Sequence, residues 1–125
     1  VKDPRIAILG LSYKANTNSV KNAPSLLLLN QLKDKKLIAY DPVVNVKDIA
    51  PWCKQAKNLE DAFLDADIII ILTPWEEIIN MTFTPLNNLT ENKFFIDPFN
   101  IFNKEKIISL GYNYYSIGHL FKKET

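Results

Sequence analysis

This sequence predicts a three-layer α/β domain: a mostly parallel sheet of five to six strands with helices on both faces. Three observations carry that expectation. Short apolar stretches alternate with helix-forming stretches along the whole chain, the rhythm of strands joined by helical crossovers. Ile68 to Leu72 puts five aliphatic residues in a row, which suits a strand buried on both sides at the centre of a sheet. Arg5 to Gly10 is an apolar strand stopped by glycine and followed by a polar loop, and such loops lie at the carboxyl edge of open α/β sheets.

Taken in order, Arg5 to Gly10 is the first strand, and Ser25 to Lys35, introduced by Pro24 and opening on a run of leucines, is the first helix. Leu37 to Tyr40 is the second strand. Asp41 and Pro42 end it, because proline has no N–H to give to a central ladder. Val46 to Trp52 is a short helix, and another, capped by Asn58 or Asp61, runs up to Asp65. After the isoleucine strand, Thr73 is placed as the cap and Pro74 as the first residue of a helix reaching Met81. Phe94 to Asp97 is the next strand, Asn103 to Leu110 a short helix, and Tyr112 to Ile117 a tyrosine-rich strand suited to an edge. The Rossmann-like domain is therefore expected over residues 1–120, with a charged tail at 121–125 that frays.

Composition narrows the function classes. At 125 residues, 47% of them hydrophobic, the chain fills one core and not two. A formal net charge of +1 leaves no electrostatic footprint for a nucleic-acid partner. No apolar run approaches the roughly 20 residues of a membrane helix, so no membrane partner is expected. The single cysteine, Cys53, forbids an internal disulfide, and no signal-peptide pattern opens the chain, so a cytoplasmic setting is expected. Cys53 has no nearby histidine or second cysteine, which leaves neither a metal site nor a thiol nucleophile. One histidine, His119, gives a Ser/His/Asp hydrolase nothing to stand on. No catalytic residue and no metal ligand is assigned. The abrupt start at Val1, a few residues before the first strand, leads to the expectation of a piece of a longer protein.

The loop after Gly10 is built for an anion. A phosphate there would meet Lys14, Lys21, the hydroxyls of Ser12, Thr17 and Ser19, and backbone N–H groups of the turn and the helix start. It is not a three-glycine dinucleotide fingerprint, since Gly10 is followed by Leu11, Ser12 and Tyr13, and it lacks the P-loop spacing. A nucleotide bound here is held by side chains, with Lys14 as a point charge on a flexible stem.

Five landmarks follow one another in order: GLSYKANTNSVKNAPS from Gly10, YDP at Tyr40 to Pro42, TPWEE at Thr73 to Glu77, IDPFNIF at Ile96 to Phe102, and YYSIGH at Tyr114 to His119. In these the chain resembles the C-terminal, UDP-binding domain of the UDP-glucose/GDP-mannose dehydrogenase family, whose pattern reads roughly GxxFKxxTxDxR, YDP, TxWxEF, DxRN and YxGIGR. The resemblance covers nearly the whole chain. It implies a nucleotide-sugar 6-dehydrogenase that oxidises a sugar C6 alcohol to a carboxylate in two NAD-dependent steps. It also implies that NAD is bound mainly by an N-terminal domain, and that this domain and the thiol nucleophile lie in parts of the protein outside this chain. On that implication the chain grips a UDP-sugar by its nucleotide, is inactive alone, and acts with the missing N-terminal and central domains in a full-length protein open to homo-oligomerisation.

Residue by residue, the resemblance assigns substrate contacts to Gly10, Tyr13, Lys14, Phe99 and Asn100, and a cofactor contact to Lys21. Several positions depart from the pattern. Tyr13 stands for a phenylalanine, Lys21 for an arginine, and Asn18 with Ser19 for the usual acids. Lysine keeps the charge but loses the planar fork that matches a phosphate. Phe99 stands for the arginine that helps hold UDP and is left with stacking or bounding the pocket, while His119 replaces a final arginine and carries no catalytic role.

Other residues have simpler readings. Asp41 is expected to bond its own turn rather than a ribose, and Asp97 and Asn100 either line the cleft or cap the turn that follows. Trp75, Glu76 and Glu77 open a helix, where acids suit the positive end of the dipole, and Trp52, Cys53 and Met81 are read as packing residues. Two functions stand side by side: the nucleotide-binding domain of a nucleotide-sugar dehydrogenase, and a divergent non-catalytic domain of the same fold used in binding or assembly.

Overall fold

The computed structural model describes residues 3–11, 24–63, 66–80, 93–116 and 119–121. The elements alternate as the sequence pattern requires: β1 (Arg5–Leu9), α1 (Pro24–Gln31), β2 (Lys36–Tyr40), α2 (Val46–Ile49), β3 (Lys54–Gln55), α3 (Leu59–Phe63), β4 (Ile68–Ile71), α4 (Glu76–Ile79), β5 (Phe94–Ile96), α5 (Lys104–Ser109), β6 (Asn113–Ser116) and β7 (His119–Phe121). They form a single sheet in the order β3-β2-β1-β4-β5-β6-β7. Pairing is parallel from β3 through β6, and β7 alone returns antiparallel against β6.

Side-chain alternation splits the core into two layers, one on each face of the sheet. Ala7 and Leu9 of β1 share a layer with Ile69, Ile71 and Phe95, and this layer is covered by Leu59 and Ala62 of α3, Ile78 of α4 and Ile107 of α5. Ile6 and Ile8 point the other way, with Leu37 and Ala39, toward Leu29 of α1 and Val46 of α2. The isoleucine run serves both layers: Ile69 and Ile71 are fully buried on one side, and Ile68 and Ile70 pack against the other.

The observed elements differ from the expected ones in four instructive places. Helix α1 stops at Gln31, because the Lys33, Asp34 and Lys35 that follow are exposed and offer no apolar stripe to extend it. Helix α2 stops at Ile49, since Pro51 disfavours helical backbone at Ala50, which sits at φ −146°. Thr73 is not the cap of α4. Its N–H still reaches the Leu9 carbonyl at 3.4 Å, which keeps the chain extended through Pro74 and makes Trp75 the N-cap, with no side-chain capping bond. The tyrosine-rich strand is not an edge, for β7 covers it and pairs Phe121 with Tyr114. Two short strands, β3 and β7, extend the sheet beyond the five strands legible in the sequence. Asn58 and Asn103 accept from Asp61 and Lys106 N–H groups as caps should. Met81 and residues 122–125 lie outside the described residues.

Phe95 is the keystone of the larger layer. It is fully buried, edge-on to Phe102 with centroids 5.1 Å apart and stacked with Tyr114 at 6.2 Å. Phe95→Ala is expected to cost about 3–5 kcal/mol of folding stability through lost transfer and cavity terms, to be measured as a lowered urea midpoint at unchanged slope.

Candidate functional site

The strand order makes the site. From β1 the chain builds outward to β2 and β3 on one side, then crosses back to lay β4, β5 and β6 on the other. The order reverses between β1 and β4, and ligands of open α/β sheets bind in the crevice outside the carboxyl ends at such a point. The residues there are Gly10 and Thr73.

Gly10 has φ +99°, and a β-carbon built on it would lie 2.5 Å from Thr73 Cβ and 2.7 Å from Thr73 Oγ1. Only glycine satisfies both the backbone angle and the close approach. Its N–H donates to the Tyr40 carbonyl at 2.8 Å, and Leu72 N–H donates to the Leu9 carbonyl at 2.9 Å, so the ends of β2, β1 and β4 are sewn together at the rim.

One buried carboxylate finishes that seam. Asp41, 5% exposed, follows β2 directly. Its Oδ2 accepts the N–H of Leu11 at 2.7 Å and the indole Nε1–H of Trp75 at 3.0 Å. Its Oδ1 accepts the N–H groups of Val43 and Val44, both at 2.8 Å. Asp41 therefore does form its own turn, as the sequence suggests, and also holds the loop after β1 and the loop after β4. The Tyr40 hydroxyl donates to Glu77 of α4, a second tie between β2 and the segment after β4.

A second carboxylate organises the end of β5. Asp97 is fully buried, and its Oδ2 accepts from Ile101 N–H at 2.9 Å, Phe102 N–H at 3.0 Å and the Tyr114 hydroxyl at 2.7 Å. Burial, then the bond to Asp97, raises the Tyr114 phenol above its ordinary value. The turn so formed carries Phe99, 46% exposed, and Asn100, exposed at φ +54°, a left-handed angle that asparagine tolerates.

Of the expected contact residues, Gly10 lies at the reversal point, buried, and Phe99 and Asn100 lie beyond β5, one strand removed from Thr73. Tyr13, Lys14 and Lys21 lie outside the described residues, as do Ser12, Thr17 and Ser19. Sequence reasoning missed the bridging role of Asp41 and the partners of Trp75 and Glu77. Trp52, read as packing, is 38% exposed and lies under the Lys33 ammonium at 4.7 Å from the ring centroid. Cys53 is buried as expected, and burial pushes its thiol up to about 11. Among the described residues no cluster of His, Cys, Asp or Glu could hold a metal ion.

Two outcomes follow. Asp41→Asn puts an amide NH₂ where one of the two oxygens accepts, facing donors with donors, and is expected to cost about 1–3 kcal/mol, read by chemical denaturation. Burial, followed by the contact with Glu77, moves the Tyr40 phenol from 10.0 up to about 12. A raised folded value means that the neutral phenol's contribution is complete below pH 10 and disappears as pH climbs toward 12. Tyr40→Phe should therefore flatten the alkaline decline of stability relative to the parent chain in pH-dependent thermal melts.

Residues 7–104 match the UDP-glucose/GDP-mannose dehydrogenase family, UDP binding domain. The chain is similar to the UDP-glucose 6-dehydrogenase TuaD of Bacillus subtilis, 34% identical over 94% of this chain and 27% of that protein. It is similar also to the UDP-glucose 6-dehydrogenase of Rickettsia conorii, 33% identical over 94% of this chain and 29% of that protein. It thus spans between a quarter and a third of the length of these relatives. Among solved structures, a UDP-D-ManNAc dehydrogenase from Pyrococcus horikoshii superposes with a TM-score of 0.68 at 26% identity, over 93% of this chain and 26% of that one. An NDP-N-acetyl-D-galactosaminuronic acid dehydrogenase from Methanosarcina mazei, at 22% identity and a TM-score of 0.73 over 94% of this chain and 25% of that one, shares the fold. With the reversal point, its glycine and the five ordered landmarks all in place, the chain belongs to the UDP-glucose/GDP-mannose dehydrogenase family and represents its UDP-binding domain.

Proposed function

We propose that the carboxyl edge of this sheet grips the uridine diphosphate end of a UDP-sugar, as part of an NAD-dependent UDP-sugar 6-dehydrogenase that works in the cytoplasm and oxidises the C6 alcohol to a carboxylate. The observation that supports this best is the seam at the strand-order reversal: Gly10 against Thr73, with the loops after β1, β2 and β4 drawn to Asp41. That seam fixes Gly10, from which the sequence runs on to Lys14, the cation this reading assigns to the diphosphate.

The roles divide by chemistry. Lys14 neutralises the diphosphate, and Tyr13 packs beside it. Phe99, exposed beyond β5, offers a ring face to the base, and Asn100 beside it offers an amide. Holding the nucleotide far from the reacting carbon uses remote binding energy to place C6 for oxidation. NAD supplies the hydride acceptor when bound. The turn at Gly10 does not fit its pyrophosphate, because the further glycines of a dinucleotide loop are missing and the space beside Gly10 is filled by Thr73. The contact of this chain with the cofactor is limited to Lys21, and the hydride acceptor and thiol belong to the N-terminal and central domains.

Phe99 in place of the family arginine favours a second reading, a domain that kept the fold for assembly and lost the ligand. Calorimetric titration with UDP separates the two. Saturable binding is expected that weakens as salt rises, with Lys14→Ala lowering affinity about tenfold or more, the worth of one charge-assisted hydrogen bond. Flat heats at every salt concentration would overturn the nucleotide reading and favour the assembly one.

A further inference from the structure

The turn after β5 is held by a hydroxyl whose place is set by register. Tyr114 of β6 is the parallel partner of Phe95, and the two rings stack with centroids 6.2 Å apart and planes 23° from parallel. Asp97 lies two residues beyond Phe95, so by the period of a strand its carboxylate is on the side of the sheet that these rings occupy. The Tyr114 hydroxyl meets it there, 2.7 Å from Oδ2. Burial, then the bond to Asp97, raises the phenol above its ordinary value, so at neutral pH the hydroxyl keeps its proton and donates.

Asn100 is tied to the same hydroxyl by its side chain. Its Oδ1 lies 3.3 Å from the Tyr114 oxygen, on the longer arm of a donor whose single proton goes chiefly to Asp97. The Asn100 N–H donates to the Asp97 carbonyl at 3.1 Å, and its φ of +54° completes the turn. An amide that turns its oxygen inward to the phenol turns its NH₂ the other way, and Asn100 is exposed. Asp97 is lopsided to the same end: Oδ2 takes all three donors, from Ile101, Phe102 and Tyr114, while the buried Oδ1 has no partner. A bare buried oxygen is costly, and the bonds on Oδ2 that shape the turn offset it.

We propose that Tyr114 is a positioning residue and Asn100 a base-selecting one: the Tyr114 hydroxyl holds the Asn100 amide with its NH₂ facing the ligand, where it donates to the C4 carbonyl of uracil. This rests on the nucleotide reading above. With the diphosphate toward the Gly10 loop and Phe99 against the base, the base edge that reaches the turn beyond β5 is the one farthest from the ribose, and that edge carries the C4 substituent. Cytosine has an amino group at that place, so a donor would face a donor.

Calorimetric titration of UDP and of CDP into the parent chain, Tyr114→Phe, Asn100→Gly and the double variant tests this. Phenylalanine keeps the ring on Phe95 and removes the hydroxyl, and glycine keeps the left-handed backbone of the turn and removes the amide. The parent is expected to bind UDP about tenfold more tightly than CDP, the worth of one hydrogen bond made rather than opposed. Each single variant should lose that preference, and Tyr114→Phe should change UDP affinity no further once Asn100 is glycine, a coupling that a merely structural hydroxyl does not produce. Equal affinity for the two nucleotides in the parent, a preference kept in Asn100→Gly, or losses that add in the double variant would overturn this proposal and leave the nucleotide reading standing. Binding of neither nucleotide by the parent would overturn both. Should Tyr114→Phe not fold, the ¹⁵N heteronuclear NOE of the Asn100 side-chain amide in the intact chain decides: a value as high as the backbone's supports a held amide, and that of a freely turning side chain overturns it.

Discussion

The carboxylate of Asp41 joins parts of the chain that sequence keeps far apart. Leu11 lies after β1, Val43 and Val44 after β2, and Trp75 after β4, and each donates to it. A carboxylate suits this work because both oxygens accept and neither donates. Taking a charge out of water is tolerated because hydrogen bonds reach it from both sides. The seam in turn fixes what surrounds it. Gly10 has to approach Thr73 closely, Thr73 has to stay extended, and Pro74 and Trp75 have to delay helix α4 until the indole can reach back to β2.

Asp97 repeats the arrangement one layer over with a different emphasis. Both aspartates follow a parallel strand directly, both are buried, and both collect N–H groups of the turn that comes next. Asp41 reaches across the reversal point, whereas Asp97 reaches forward to Tyr114 on the neighbouring strand β6. The first organises the rim at the strand-order reversal, and the second holds the turn that carries the exposed Phe99 and Asn100.

What was legible in the sequence was local or periodic. The isoleucine run marks a central strand because an unbroken aliphatic stretch suits a strand covered on both faces, and its residues do pack into both layers, and Gly10, Asn58 and Asn103 mark turns and caps through their own chemistry. The partners of Asp41 were not legible, since Leu11 and Trp75 lie 30 and 34 residues away and no spacing rule connects them. The capping role given to Thr73 rested on a good local rule that a long-range backbone bond to Leu9 overrode. The strand β3 escaped notice because Lys54–Gln55 carries no hydrophobic pattern and pairs only by its backbone with β2. Family resemblance supplied the nucleotide chemistry, which no periodicity carries.

Among the described residues the sheet ends at both flanks on short strands, two residues in β3 and three in β7. A flank that short, with Lys54 charged and exposed on one of them, gives a foreign strand too few amides to zip onto. The isoleucine-rich centre, the stretch most prone to amyloid-type stacking if bared, is thereby kept three places from one border and three from the other.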